Sequence, residues 1–223
     1  MKVNLISYSK SDGTYLIDST SATELVAYCA RVSNPGNQNN KETSEKLIKY
    51  LMKHKHWSPL EMVSVCLEVE TTRDIARQLL RHRSFSFQEF SQRYADPTED
   101  LEFVTREARL QDPKNRQNSI PTDDTLLQSH WEEMQNKVIE ASKNAYKFAI
   151  NRGIAKEQAR AGLPEGNTVS RLYVNGTLRS WIHYIELRGA NGTQLEHIEL
   201  AHAVADVITK IFPLAKEFKG KEI

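Results

Sequence analysis

The sequence of 223 residues predicts an α+β fold with a helical majority, its helices set around a mainly antiparallel sheet. Three observations lead there. Segments with period-two and period-3.6 hydrophobicity are mixed along the chain. They follow no repeating strand-helix-strand rhythm, which argues against a parallel doubly wound sheet. The length suits one domain, residues 1–223, with a substantial core.

VNLISYS, beginning at Val3, alternates like a strand, and SDGTY supplies Asp-Gly turn chemistry. From Ser21, SATELVAYCARVS spaces its apolar residues helically behind a Ser/Thr cap with Glu24 following. SNPGNQNN is a loop, and Lys41 to Lys53 is a second amphipathic helix with Leu47, Ile48, Leu51 and Met52 on one face. HKHWSPLEM is a polar and aromatic connection, and the β-branched alternation from Val63 to Val69 makes EMVSVCLEVETT a strand. TTRDIARQLLRHR reads as a helix ending at Arg83, followed by a loop, and QRYADP as extended chain stopped at Asp96-Pro97. Thr98 to Thr122 is polar and carries no clear period. Asp123 to Asn151 is a long amphipathic helix with a stop at Gly153, and AKEQAR a short one. TVSRLYVNGT is a strand, TLRSWIHYIELR a helix, and Gln194 to Phe218 a long final helix.

Composition narrows the function. Lys and Arg number 30 against 29 Asp and Glu, a net charge of +1, so a broad nucleic-acid surface is not expected. No apolar run approaches a membrane span, and the N-terminal MKVNLISYSKSDGTY lacks the apolar core of a signal peptide. A cytoplasmic protein without membrane attachment is the expectation. Cys29 and Cys66 sit in apolar settings and outside any CxxC pair, so buried free thiols are expected rather than a redox or zinc site.

One stretch departs from this ordinary background. Between Arg73 and Arg93 there are five arginines, no lysine, and only Asp74 and Glu89 as acids. Arg73, Arg77 and Arg81 share one helix face, and Arg81, His82 and Arg83 fall where cations favour the helix dipole. A solvated basic face would account for that much. Yet arginine used to the exclusion of lysine suits bidentate recognition of phosphate or carboxylate. Ser84, Ser86, Gln88, Glu89, Ser91 and Gln92 follow, interleaved with Phe85, Phe87 and Phe90. Hydroxyls, amides and aromatics beside guanidinium groups are what a planar, phosphorylated heterocycle needs. The residues themselves point to a nucleotide site.

Arg81-His82-Arg83, followed after seven residues by Ser91, resembles the signature of the flavin-dependent thymidylate synthases, as do the flanking Glu89, Arg93 and Tyr94. The resemblance extends from about Ala22 to Ile211. It implies a homotetramer that binds FAD and dUMP at the junction of subunits. Gln78, Arg81 and the segment Glu89, Phe90, Ser91, Gln92, Arg93 would contact dUMP, and Arg81, His82, Arg83 and Glu89 would help hold FAD. HKHWSPLEM resembles a second block of the family, placing His56 and Ser58 on the flavin. Taken alone, His54 and His56 have metal-ligand spacing but lack further ligands, so no metal is expected. EQARAGLP resembles the block that puts Arg160 at the dUMP phosphate, although the residues alone read as a helix-end arginine before a proline. In TLRSWIHYIELR the resemblance makes Thr177, Arg179 and His183 FAD contacts; a histidine among Trp181, Ile182 and Tyr184 is otherwise an ordinary core residue.

Arg188, ending that helix, is the expected catalytic residue. In the resembling family it binds the uracil carbonyl region and favours the N3-ionised ring, and a fixed guanidinium is suited to developing negative charge. Gln194 and Glu196 match the family's Gln-x-Glu, whereas Gly192 stands where the family often has His. Glu199 and His202 have di-iron spacing, but no second such pair exists, and they read as ordinary helix residues. The implied reaction takes its carbon from methylenetetrahydrofolate and its reducing power from NADPH through FAD. No covalent Cys or Ser nucleophile is expected.

Overall fold

The computed structural model describes residues 1–14 and 21–219. The chain opens with β1 (Lys2–Tyr8), then α1 (Ala22–Ala30) and α2 (Ser44–Lys53). A 3-10 turn, Ser58–Met62, leads into β2 (Ser64–Thr72), which passes directly into α3 (Arg73–Leu79). Next come β3 (Ser86–Glu89), α4 (Pro97–Asp100), β4 (Arg109–Gln111), β5 (Ser119–Pro121), α5 (Thr125–Asn151) and α6 (Lys156–Ala159). β6 (Val169–Thr177), α7 (Leu178–Arg188), α8 (Leu195–Thr209) and a 3-10 segment, Pro213–Phe218, complete it.

The main sheet has the order β1-β2-β6-β3, and every pairing in it is antiparallel. Alternation in the sequence becomes one buried face: Val65, Leu67 and Val69 on β2 and Leu172 and Val174 on β6 are fully buried. They pack with Trp181, Ile182 and Ile185 of α7 and Leu200, Val204 and Ile208 of α8. Each such burial stabilises the fold by about 1.5–3 kcal/mol. The other face is polar, with Arg171 paired to Glu70 and Asn4 bonded to Glu68. A second cluster lies under α5, where Tyr146 and Ala149 meet Ala159 and Leu163.

The cap expected at Ser21 is present, and the structure adds caps at Asp124 and Thr177. Ser21 Oγ accepts from the Glu24 amide, Asp124 from Leu127 and Thr177 from Ser180. Gly153, at φ +76°, ends α5 in a Schellman motif, its amide bonded to Ile150 O and that of Ile154 to Ala149 O. Asp12 and Gly13 turn as expected, with Asp12 Oδ1 accepting from the Thr14 amide; Tyr15 of that turn lies outside the described residues.

The structure departs from the sequence expectations at several boundaries. α2 begins at Ser44, three residues after Lys41. α3 stops at Leu79, so Arg81, His82 and Arg83 lie in a turn beyond it rather than on the helix. The turn carries Phe85 into the core against Trp181, with ring centroids 4.4 Å apart. Part of the expected loop is an edge strand, β3, and the unassigned polar stretch contains α4 and the β4-β5 hairpin. The final helix breaks after Thr209, and Pro213 opens a separate 3-10 segment. Cys29 and Cys66 are free but only partly buried.

Candidate active site

The candidate residues fall into three groups on one chain. The first joins the exit of α3 to α7 and α8. Arg188 donates from Nε to His82 Nε2 at 2.9 Å, so that histidine nitrogen is the acceptor and the ring is neutral. Burial, with Arg188 and Arg81 nearby, pushes His82 down to about 4. Its ring meets Tyr184 edge-on at 5.1 Å. Gln78 reaches Gln194 at 2.9 Å and His197 at 3.1 Å, and His197 reaches the Tyr184 hydroxyl at 3.1 Å. Gln194 in turn reaches Glu196, which pairs with Arg109. Arg81 is exposed beside this group.

The second group lies where β3 leaves the sheet. Glu89 accepts from Ser170 Oγ at 2.8 Å and pairs with Arg73 at 3.2 Å. The Phe90 amide is held by Arg171 O, and the Ser91 hydroxyl accepts from the Arg93 amide at 3.4 Å. Gln92 is buried, and its amide nitrogen has no partner among the described residues. Arg93 lies 3.7 Å from Glu157 on α6, which brings the segment alongside the turn that carries Arg160.

The third group brackets the start of α7. Thr177 caps the helix, Arg179 pairs with Glu61, and His183 packs edge-on against Trp57 at 4.7 Å. Burial, then the Arg179 charge, lowers the basicity of His183. His56 and Ser58 are exposed on the same connection.

Within one chain, α3 joins the first and second groups. Arg73 at its start touches Glu89, while Gln78 near its end faces α8. That helix of 7 residues is about 10 Å long. The structure therefore gathers Gln78, His82 and Arg188 into one group and Glu89 to Arg93 into another, with contacts at opposite ends of α3. It also adds residues that sequence reasoning passed over: Tyr184, His197 and Arg109. Their spacing carried no signal, because the contacts link α7, α8, α3 and β4 across the chain. The exposed guanidinium groups of Arg81 and Arg83, the Ser58 hydroxyl and the unpartnered Gln92 amide suit a ligand with phosphates and a polar ring.

Residues 15–214 match the family model described as "Thymidylate synthase complementing protein". A probable flavin-dependent thymidylate synthase of Paramecium bursaria Chlorella virus 1 is 52% identical over 192 residues, covering 86% of this chain and 88% of that protein. The flavin-dependent thymidylate synthase of Synechocystis is 47% identical over 213 residues, covering 96% of each. Among solved structures, the UMP/dUMP methylase PolB of Streptomyces cacaoi bound with 5-Br dUMP superposes with a TM-score of 0.79 at 27% identity, covering 97% of this chain and 93% of that one. These relatives place the chain among the methyltransferases. The chain belongs to the flavin-dependent thymidylate synthase family.

Proposed function

We propose that this chain reductively methylates dUMP to dTMP, with methylenetetrahydrofolate as carbon donor and NADPH as reductant. The juxtaposition of Arg188 with neutral His82, beside Gln78 and Arg81, carries this reading. His82 accepts the Nε–H of Arg188 and so fixes the plane of the guanidinium, leaving its terminal N–H groups for a uracil carbonyl. A fixed cation in a half-buried site stabilises the N3-ionised pyrimidine without reorganisation during the reaction. Gln78 and Arg81 would orient the nucleotide from the same side. Glu89 to Arg93, with Arg160, would hold its sugar and phosphate.

FAD held here would supply the hydride-transfer chemistry, with NADPH as the source of reducing power. His56, Ser58, Arg81, His82, Arg83, Glu89, Thr177, Arg179 and His183 are the residues proposed to hold the flavin. Separation of the groups on one chain supports a homotetramer in which subunits share sites. The apolar stripe Leu127, Trp131, Met134 and Val138 along α5, 38%, 45%, 54% and 49% exposed, gives such an assembly a surface to bury. A cytoplasmic location and the absence of nucleic-acid or membrane partners go with this reading.

Arg188→Ala tests it. The expected result is loss of dTMP formation, with FAD still bound as judged by the flavin absorption band. Wild-type protein that carries no flavin and takes up none from added FAD sinks the proposal.

A further inference from the structure

We propose that His197 is a positioning residue, fixing the Gln78 amide so that it offers an N–H, not its carbonyl, to an acceptor oxygen of the nucleotide. This rests on the dUMP reading above.

The direction of every hydrogen bond in the chain follows from one end. Glu196 is a carboxylate already engaged by Arg109, and a carboxylate only accepts. Gln194 must therefore aim its Nε2 at Glu196, 2.9 Å away. Its Oε1 is then turned to Gln78, which must donate from Nε2 across 2.9 Å. Gln78 Oε1 is thereby left facing His197 Nδ1 at 3.1 Å, and that nitrogen must carry the ring proton. His197 Nε2 becomes an acceptor, and the Tyr184 hydroxyl, 3.1 Å away, donates to it. No bond in this series can be reversed without opposing two donors or two acceptors. One hydrogen of the Gln78 Nε2 remains uncommitted. Gln78 is only partly buried, and its neighbours Arg81 and Arg188 belong to the same group.

The charge states agree. Burial, then Arg188 and His82, holds His197 neutral, down to about 3. Burial keeps the Tyr184 phenol protonated despite Arg188. Burial also opposes ionisation of Glu196, but hydrogen bonds from Arg109 and Gln194 outweigh it and hold the carboxyl below its usual range. His197 is fully buried and cannot itself reach a ligand.

The test is dUMP titration by calorimetry on FAD-loaded protein. In His197→Asn the amide nitrogen takes the place of Nδ1 and still anchors Gln78. In His197→Gln the longer side chain sets its amide oxygen where Nε2 stood, accepting from Tyr184, and presents no N–H to Gln78. The Asn variant should retain wild-type affinity for dUMP, whereas the Gln variant should lose roughly tenfold, the scale of one hydrogen bond. Gln78→Ala and Gln78→Glu should lose a similar factor, since neither presents an N–H. Adding His197→Gln to Gln78→Ala should cost nothing more. Equal affinities for the Asn and Gln variants, or losses that multiply in the double variant, overturn the assignment. FAD-loaded wild-type protein that fails to bind dUMP overturns the functional reading, and this one with it; wild-type binding with equal Asn and Gln variants overturns this one alone.

Discussion

Two histidines near Arg188 are held neutral by the same surroundings. Burial, reinforced by the Arg188 guanidinium, pushes His82 to about 4 and His197 to about 3. An unfolded histidine titrates near 6.5. Between that value and the folded one, the unfolded chain binds more protons, so stability rises with pH across the window. It is fully present above about 6.5 and is lost as pH falls toward about 4. The thermal midpoint should therefore drop between about pH 7 and pH 5, above the range in which most carboxylates titrate. His197→Asn, which has no ring to protonate, should flatten part of that slope. An identical slope in both proteins would place its origin elsewhere.

At the scale of elements, the approach of Gly176 on β6 to Phe85 is as informative as any polar contact. A Cβ at position 176 would lie 2.3 Å from the Phe85 ring. Gly176→Ala should therefore push Phe85 out of its place beside Trp181 and destabilise the fold by about 1–3 kcal/mol, as denaturant unfolding would show. A variant of wild-type stability would mean that the turn moves freely. The same contact explains where sequence reading stopped short. Helical period extended α3 through Arg83, but burying Phe85 required the chain to turn after Leu79. β3 is four residues long and lies at an edge, too short for alternation to distinguish it from a loop. The core strands β2 and β6, the cap at Ser21 and the stop at Gly153 were all legible, because each depends on neighbours in sequence. His197 was not. Its partners Tyr184 and Gln78 lie 13 and 119 positions away, and nothing local marks a helix residue for such a role.

For the whole molecule, the exposed apolar stripe of α5 has its own test. Trp131→Glu with Met134→Glu should yield a smaller species in sedimentation velocity, since charges on a buried interface disfavour association. Unchanged mass would remove α5 from the assembly surface. The distance along α3 between the Gln78 group and the Glu89 group also has a genetic reading. If a working site takes one group from each of two subunits, damage to the groups is not confined to the chain that carries it. Arg188→Ala and Arg93→Ala proteins, each inactive alone, should recover dTMP formation when refolded together, because some sites in the hybrids would draw both intact groups from different chains. Two defective alleles would then support growth where neither does alone; sites built within single chains could not rescue one another.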